Sequence, residues 1–266
     1  MKILAINASL RGDRGRTRFL LDRLLEGAAA AGAECEVVTL ARLKINRCLA
    51  CDWCHTPEHP LQCVQAGKDD VSDVFAKMAG ADLLVYATPV YVFGMSSLLK
   101  TLIERMYGTG DVADLRLADS GLMFHHVDRA VCSKPFVALV CCDNLEAEMP
   151  RNAVAYFRTY ARFMDAPLAG VLVRNGGALS LHSGQALACP GAGARMPAQS
   201  PRLAAVHAAY VQAGRELVLH GRISAATARR ANQEIVPVPL FGWLKRLPFK
   251  PVKRRFVTEA RKLMAR

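Results

Sequence analysis

Short strand-like runs alternate with helical stretches along most of this chain, and that alternation fixes the kind of core it can build. The runs are residues 2–6 (KILAI), 34–39 (ECEVVT), 83–87 (LLVYA, ended by Thr88-Pro89), 136–141 (FVALVC) and 168–173 (LAGVLV). Helical periodicity marks residues 17–31, 70–79, 97–107, 151–164 and 201–220. Most of the runs are unbroken apolar stretches, as expected of strands covered on both faces. The pattern predicts an α/β fold: a doubly wound, five-stranded parallel sheet with helices on both faces. Residues 175–201, rich in Gly, Ala, Ser and Pro, read as a loop or lid whose role the sequence leaves open, as it does that of the insertion at 110–134.

In the flavodoxin-like strand order, ligands bind in the loops after strands one and three, where the winding reverses. The first of these loops, Asn7 to Thr17, combines small hydroxyl residues, glycines and arginines just before a helix. Backbone N–H groups there, with the Ser9 and Thr17 hydroxyls and Arg11 or Arg16, suit a phosphate. The loop has neither G-x-G-x-x-G nor G-x-x-x-x-G-K-S/T, so a mononucleotide phosphate is the better match; a solvated loop with an ordinary helix cap is the plain alternative. The second loop runs through Thr88, Pro89, Val90, Tyr91, Val92, Phe93 and Gly94. Its aromatics either support a flat, partly apolar ligand or fold back onto the core.

Nine cysteines in a long chain do not read as a secreted disulfide framework, because four of them crowd into one stretch: Cys48, Cys51, Cys54 and Cys63. Three cysteines at three-residue intervals, with a fourth nearby, suit a 4Fe-4S cubane. Zinc with His55 or His59, bare thiols, and haem attached at Cys51-Asp-Trp-Cys54-His55 are the competing readings. Cys35, Cys141 and Cys142 read as small buried apolar residues, whereas Cys132 and Cys189 stay unassigned. Asp69-Asp70 reads as a helix cap, and His125-His126 as solvated surface with a flavin proton donor as the alternative.

Taken in order, these motifs resemble the NADPH-dependent FMN reductase-like family of the flavodoxin fold, and within it the iron-sulfur flavoproteins. The resemblance covers roughly residues 1–173 and rests on five features: Asn7-Ala-Ser-Leu-Arg11 with Gly15-Arg-Thr17; the cysteine block; Lys68-Asp69-Asp70; Ala81-Asp82 leading to Thr88-Pro89-Val90-Tyr91; and Leu99 to Arg105. It implies FMN, with its phosphate on the first loop and its ring against Pro89 to Gly94. It also implies NAD(P)H as co-substrate, a small-molecule or protein electron partner, and a homo-oligomer. The expected function is an FMN oxidoreductase that exchanges electrons with a 4Fe-4S cluster. A cluster-free FMN or quinone reductase, a carrier that exchanges electrons only with proteins, and a zinc-stabilised binding protein are the alternatives.

The net charge of +12 suggests nucleic acid until it is located: residues 241–266 carry +8 of it. With no recognised reading module there, nucleic-acid binding is not expected. From residue 252 onward, Val252, Phe256, Val257, Ala260, Leu263 and Met264 share one helical face. Such a helix either lies on an anionic membrane surface or docks on its own domain or a second copy. The expected division is a flavodoxin-like domain at 1–220, with its cysteine-rich loop at 46–68, and a basic C-terminal extension at 221–266. No apolar run reaches the length of a membrane span, and the first strand follows Met1 directly, so a cytoplasmic protein is expected.

Overall fold

The computed structural model describes residues 1–180, 201–236, 241–246 and 249–264. Cys189, residues 181–200 of the expected lid and Arg266 lie outside the described residues. So do the side chains of Phe241, Phe256 and residues 259–264, on which the apolar face of the tail depends.

In chain order the elements are β1 (Lys2–Asn7), α1 (Arg16–Ala30), β2 (Glu34–Thr39), α2 (Val71–Ala79), β3 (Leu83–Tyr91), β4 (Gly94–Met95) and α3 (Ser97–Glu104). A two-stranded ribbon, β5 (Gly110–Leu117) and β6 (Met123–Val127), follows. Next come α4 (Arg129–Cys132), β7 (Phe136–Cys142), α5 (Arg151–Phe163) and β8 (Leu168–Asn175). The chain ends with α6 (Pro201–His220), α7 (Ala225–Ala231), α8 (Phe241–Leu244) and α9 (Lys250–Met264). The five main strands are parallel in the order β2-β1-β3-β7-β8, the doubly wound topology expected from the sequence.

The pleat divides the strand side chains between two cores. Leu4, Ile6, Leu84, Tyr86, Phe136 and Ala138 face α2, α3 and α5. Ile3, Ala5, Leu83, Val85, Val137 and Leu139 face α1 and α6. Two glycines bring those last helices together. A methyl on Gly27 would stand 1.8 Å from the Val211 carbonyl oxygen, and one on Gly214 would stand 1.9 Å from that of Leu24.

Two regions depart from expectation. β3 does not stop at Thr88-Pro89 but runs on to Tyr91, pairing Pro89 with Cys141 and Val90 with Met95. The ladder tolerates Pro89 because β1 pairs no further than Ala87, so no donor is required on that side. The insertion after α3 contains the β5–β6 ribbon, whose register shifts between Asp111 and Leu115. Arg116 and Arg129 pair with Asp165, and Phe124 packs edge-on against Phe163, which ties the ribbon to the end of α5.

Candidate functional site

The β1–α1 loop is organised by Asn7. Its side chain donates to the Gly12 carbonyl at 3.2 Å and accepts from the Ser9 N–H at 3.2 Å, folding the chain back on itself. The Ser9 hydroxyl in turn accepts from the Arg11 N–H at 3.2 Å. Gly15 is the N-cap residue of α1 and supplies no side-chain cap, so the first-turn N–H groups are open to an anion at the positive end of the helix dipole. Ser9 and Thr17 are buried at the floor, each 2% exposed. Arg16 reaches across to pair with Asp143, just beyond the end of β7.

Tyr91 meets this loop from the other side and lines the same cleft as Ser9 and Arg11. Burial pushes the phenol up, partly offset by Arg11, and Asp143 and Cys141 add to the rise. Ser9, Arg11, Arg16, Thr17, Pro89, Val90, Tyr91, Cys141 and Asp143 line one cleft at the β1/β3 switch point. Thr88 stays beneath it, fully buried, where its hydroxyl accepts from the Ser96 N–H at 3.0 Å. Sequence reasoning missed Asp143 and the place of Cys141 in the cleft. Both follow from the same rule, since they sit at the carboxyl end of a parallel strand. Cys141 is buried as expected, with its thiol pushed up by burial to about 12.

The aromatic loop does not fold back onto the core. Tyr91 is 38%, Phe93 58% and Val92 86% exposed. Tyr91 pairs with Gly94 across a two-residue turn, with Val92 at φ +44° and Phe93 at φ +67°. Such a turn normally takes Asn-Gly, and a β-branched residue at positive φ is strained by about 1–3 kcal/mol. Backbone strain of this kind clusters at ligand sites.

The four clustered cysteines lie on one loop between β2 and α2, all as thiols. Burial raises the Cys54 thiol, and the charges of Cys63, Cys48 and Cys51 raise it further, so each of the other three acts electrostatically on Cys54. Cys54 and Cys63 pack around Gly108, where an added methyl would come 3.7 Å from the Cys54 Sγ. Among the described residues no three His, Cys, Asp or Glu side chains converge closely enough to hold a metal ion. His59 stacks on Trp53 at 3.9 Å between ring centroids, and His55 meets Tyr107 edge-on.

Asp69 and Asp70 do more than cap α2, and neither is simply its N-cap acceptor. Asp70 occupies the N-cap position, but its carboxylate accepts from the Lys44 N–H at 2.7 Å. Asp69 accepts from the Val71 N–H at 3.3 Å and the Asn46 N–H at 3.0 Å, and it forms a buried ion pair with Arg105. His125, on β6, is half-buried and packs on Phe124. Burial lowers its pKa, as do the charges of His55 and Arg116, partly offset by Asp111. His126 is exposed, 3.8 Å from Asp114.

The sheet order and the cleft at its switch point define a flavodoxin-like α/β protein with an uncapped helix start facing an apolar turn. Residues 1–121 match the family model of the NADPH-dependent FMN reductases. An iron-sulfur flavoprotein of Archaeoglobus fulgidus is 37% identical over 105 residues, 40% of this chain and 48% of that protein. The iron-sulfur flavoprotein MJ1083 of Methanocaldococcus jannaschii is 34% identical over 109 residues, 40% of this chain and 51% of that protein. Over its N-terminal part the chain is thus similar to the NADPH-dependent FMN reductases and to the iron-sulfur flavoproteins. The chain spans about half the length of the curated relatives it matches. In fold it is similar to an FMN-dependent NADH-azoreductase from Bacillus anthracis (TM-score 0.51, 13% identity, 87% of this chain and 100% of that one). It is likewise similar to RosB (TM-score 0.52, 16% identity, 98% of this chain and 87% of that one). No helix among the described residues is long and apolar enough to cross a membrane.

Proposed function

We propose that this protein is an FMN-dependent NAD(P)H oxidoreductase that also carries a 4Fe-4S cluster on Cys48, Cys51, Cys54 and Cys63. The observation that carries the flavin half is the single cleft joining the Ser9–Thr17 cradle to the Pro89–Tyr91 edge of the exposed aromatic turn. The residues fit FMN. Gly15 lets the Ser9 hydroxyl lie against the start of α1, where a methyl would come 2.3 Å from the Ser9 Oγ, and the uncapped N–H groups of α1 have no side-chain acceptor. In this reading Ser9, Thr17, Arg11 and Arg16 hold the phosphate, while Thr88, Pro89, Val90, Tyr91, Phe93 and Gly94 support the ring and shield it from water.

The donor set of the cysteine loop also fits a cluster. Four thiols share one loop, and the buried Arg105 Nε beside Cys63 has no acceptor, so a group bringing acceptors there would satisfy it. Bound FMN takes two electrons from a hydride donor and releases them singly, and an iron-sulfur cluster passes one at a time. The chain's own part is to orient both groups and to exclude water between them. Small-molecule or protein electron partners and a second copy of the chain belong to this proposal.

That no three metal-ligating side chains converge among the described residues favours, as a second reading, a reductase whose cysteines hold no cluster. The test is anaerobic addition of NADPH or NADH to the purified flavoprotein, followed by a quinone. Bleaching of the flavin band and its return with quinone support the oxidoreductase, and a band unmoved by either nucleotide defeats it. The Cys51→Ala variant decides the second reading: loss of iron with retained flavin supports the cluster.

A further inference from the structure

Arg105 follows α3, 42 residues beyond Cys63 in sequence, yet its guanidinium joins the two ends of the cysteine loop. Nη1 pairs with Asp69 and donates to the Asn46 carbonyl at 3.0 Å. Nη2 donates to the Cys63 Sγ at 3.4 Å. Asp69 returns the contact by accepting from the Asn46 N–H at 3.0 Å, and the Asn46 side chain donates to Gln65 at 3.2 Å. The side chains of Arg105 and Asp69 are 2% and 0% exposed.

A buried ion pair of this kind is weak evidence for stability, because desolvating two charges offsets most of their attraction. Its value lies in what the planar guanidinium fixes at once: a carboxylate, the carbonyl at the loop's entry and the sulfur near its exit. Lysine, with one tetrahedral donor on a flexible stem, cannot span three acceptors in that plane.

We propose that Arg105 is a positioning residue for the Cys63 thiolate, clamping the 46–68 loop and raising the reduction potential of the cluster that loop holds. This rests on the cluster reading above. The sign follows from the hydrogen bond: an N–H donor on a ligand sulfur draws off part of its negative charge and so stabilises the reduced, more negative cluster over the oxidised one, even with Asp69 balancing the guanidinium. No bond is made or broken by Arg105. It acts through the geometry and electrostatics of Cys63.

The test uses the full chain with R105K, which keeps a cation against Asp69, and a second variant, D69N/R105Q, which removes both charges should the first fail to fold. Hydrogen exchange in metal-free protein reads the clamp. The Asn46 amide and those of residues 63–69 should exchange about tenfold faster in either variant, with β1 and β7 unchanged. Unaltered exchange there overturns the clamp. Potentiometric titration of anaerobic holoprotein reads the second half: the cluster midpoint should fall in the variants while that of the flavin holds. Variants that merely lose iron and flavin together, with the remaining clusters at the parent potential, contradict the positioning role. Parent protein that takes up no iron defeats the cluster reading and the potential claim with it, while the exchange data still judge the clamp.

Discussion

Gly15 stands where the first turn of α1 meets the Ser9 hydroxyl, and its φ of −77° is open to any residue. What it cannot carry is a side chain, since a methyl would also lie 3.2 Å from the Gly12 carbonyl oxygen. Gly15→Ala should therefore weaken FMN retention by about tenfold or more, for a stability cost of about 1–3 kcal/mol. Fluorescence of released flavin on dilution measures the first, and a urea titration the second. The loop was legible in the sequence as hydroxyl residues and glycines just before a helix start, but the approach of Gly15 to Ser9 was not. Arg105 was not legible either. Its role depends on Asp69 and Cys63 meeting it in space, and no local spacing encodes a buried pair formed 36 residues apart.

At the scale of elements, the β3–β4 turn sets stability against binding. Replacing Val92-Phe93 with Asn-Gly puts suitable residues at two positive-φ positions, and should raise the apoprotein's stability by about 1–3 kcal/mol while costing FMN about tenfold in affinity. Thermal melts with and without FMN measure both. The ribbon is tied down by Asp165, whose carboxylate is 2% exposed. Burial raises its pKa, but hydrogen bonds from Arg116 and the Asp119 N–H, with the charges of Arg116 and Arg129, outweigh that and hold it below the usual range. A depressed folded pKa gives stabilisation that is present above the unfolded value of about 3.9 and lost as pH falls through the folded one. Asp165→Asn should destabilise by about 1–3 kcal/mol at neutral pH, and urea midpoints for parent and variant should draw together in acid. The parallel strands announced themselves as apolar runs, such as FVALVCC in β7. The ribbon did not: its register shift breaks the period of two, and its outer face carries Leu115 and Met123 at 77% and 82% exposure.

For the whole molecule, strand order was readable from alternation alone, because a doubly wound parallel sheet permits few other arrangements. The close seat of α6 on α1 was not, since Gly27 and Gly214 are far apart in sequence and each looks like an ordinary helix weakness. The proposed function comes down to one claim: FMN in the switch-point cleft and a 4Fe-4S cluster on Cys48, Cys51, Cys54 and Cys63 of the same chain. Released flavin, iron and acid-labile sulfide counted on protein purified without oxygen test it most directly. The account predicts about one FMN with about four irons and four sulfides per chain, and loss of the iron but not the flavin in Cys51→Ala. FMN with no iron, or zinc in its place, would contradict the cluster, and protein that binds no FMN after reconstitution would contradict the account as a whole.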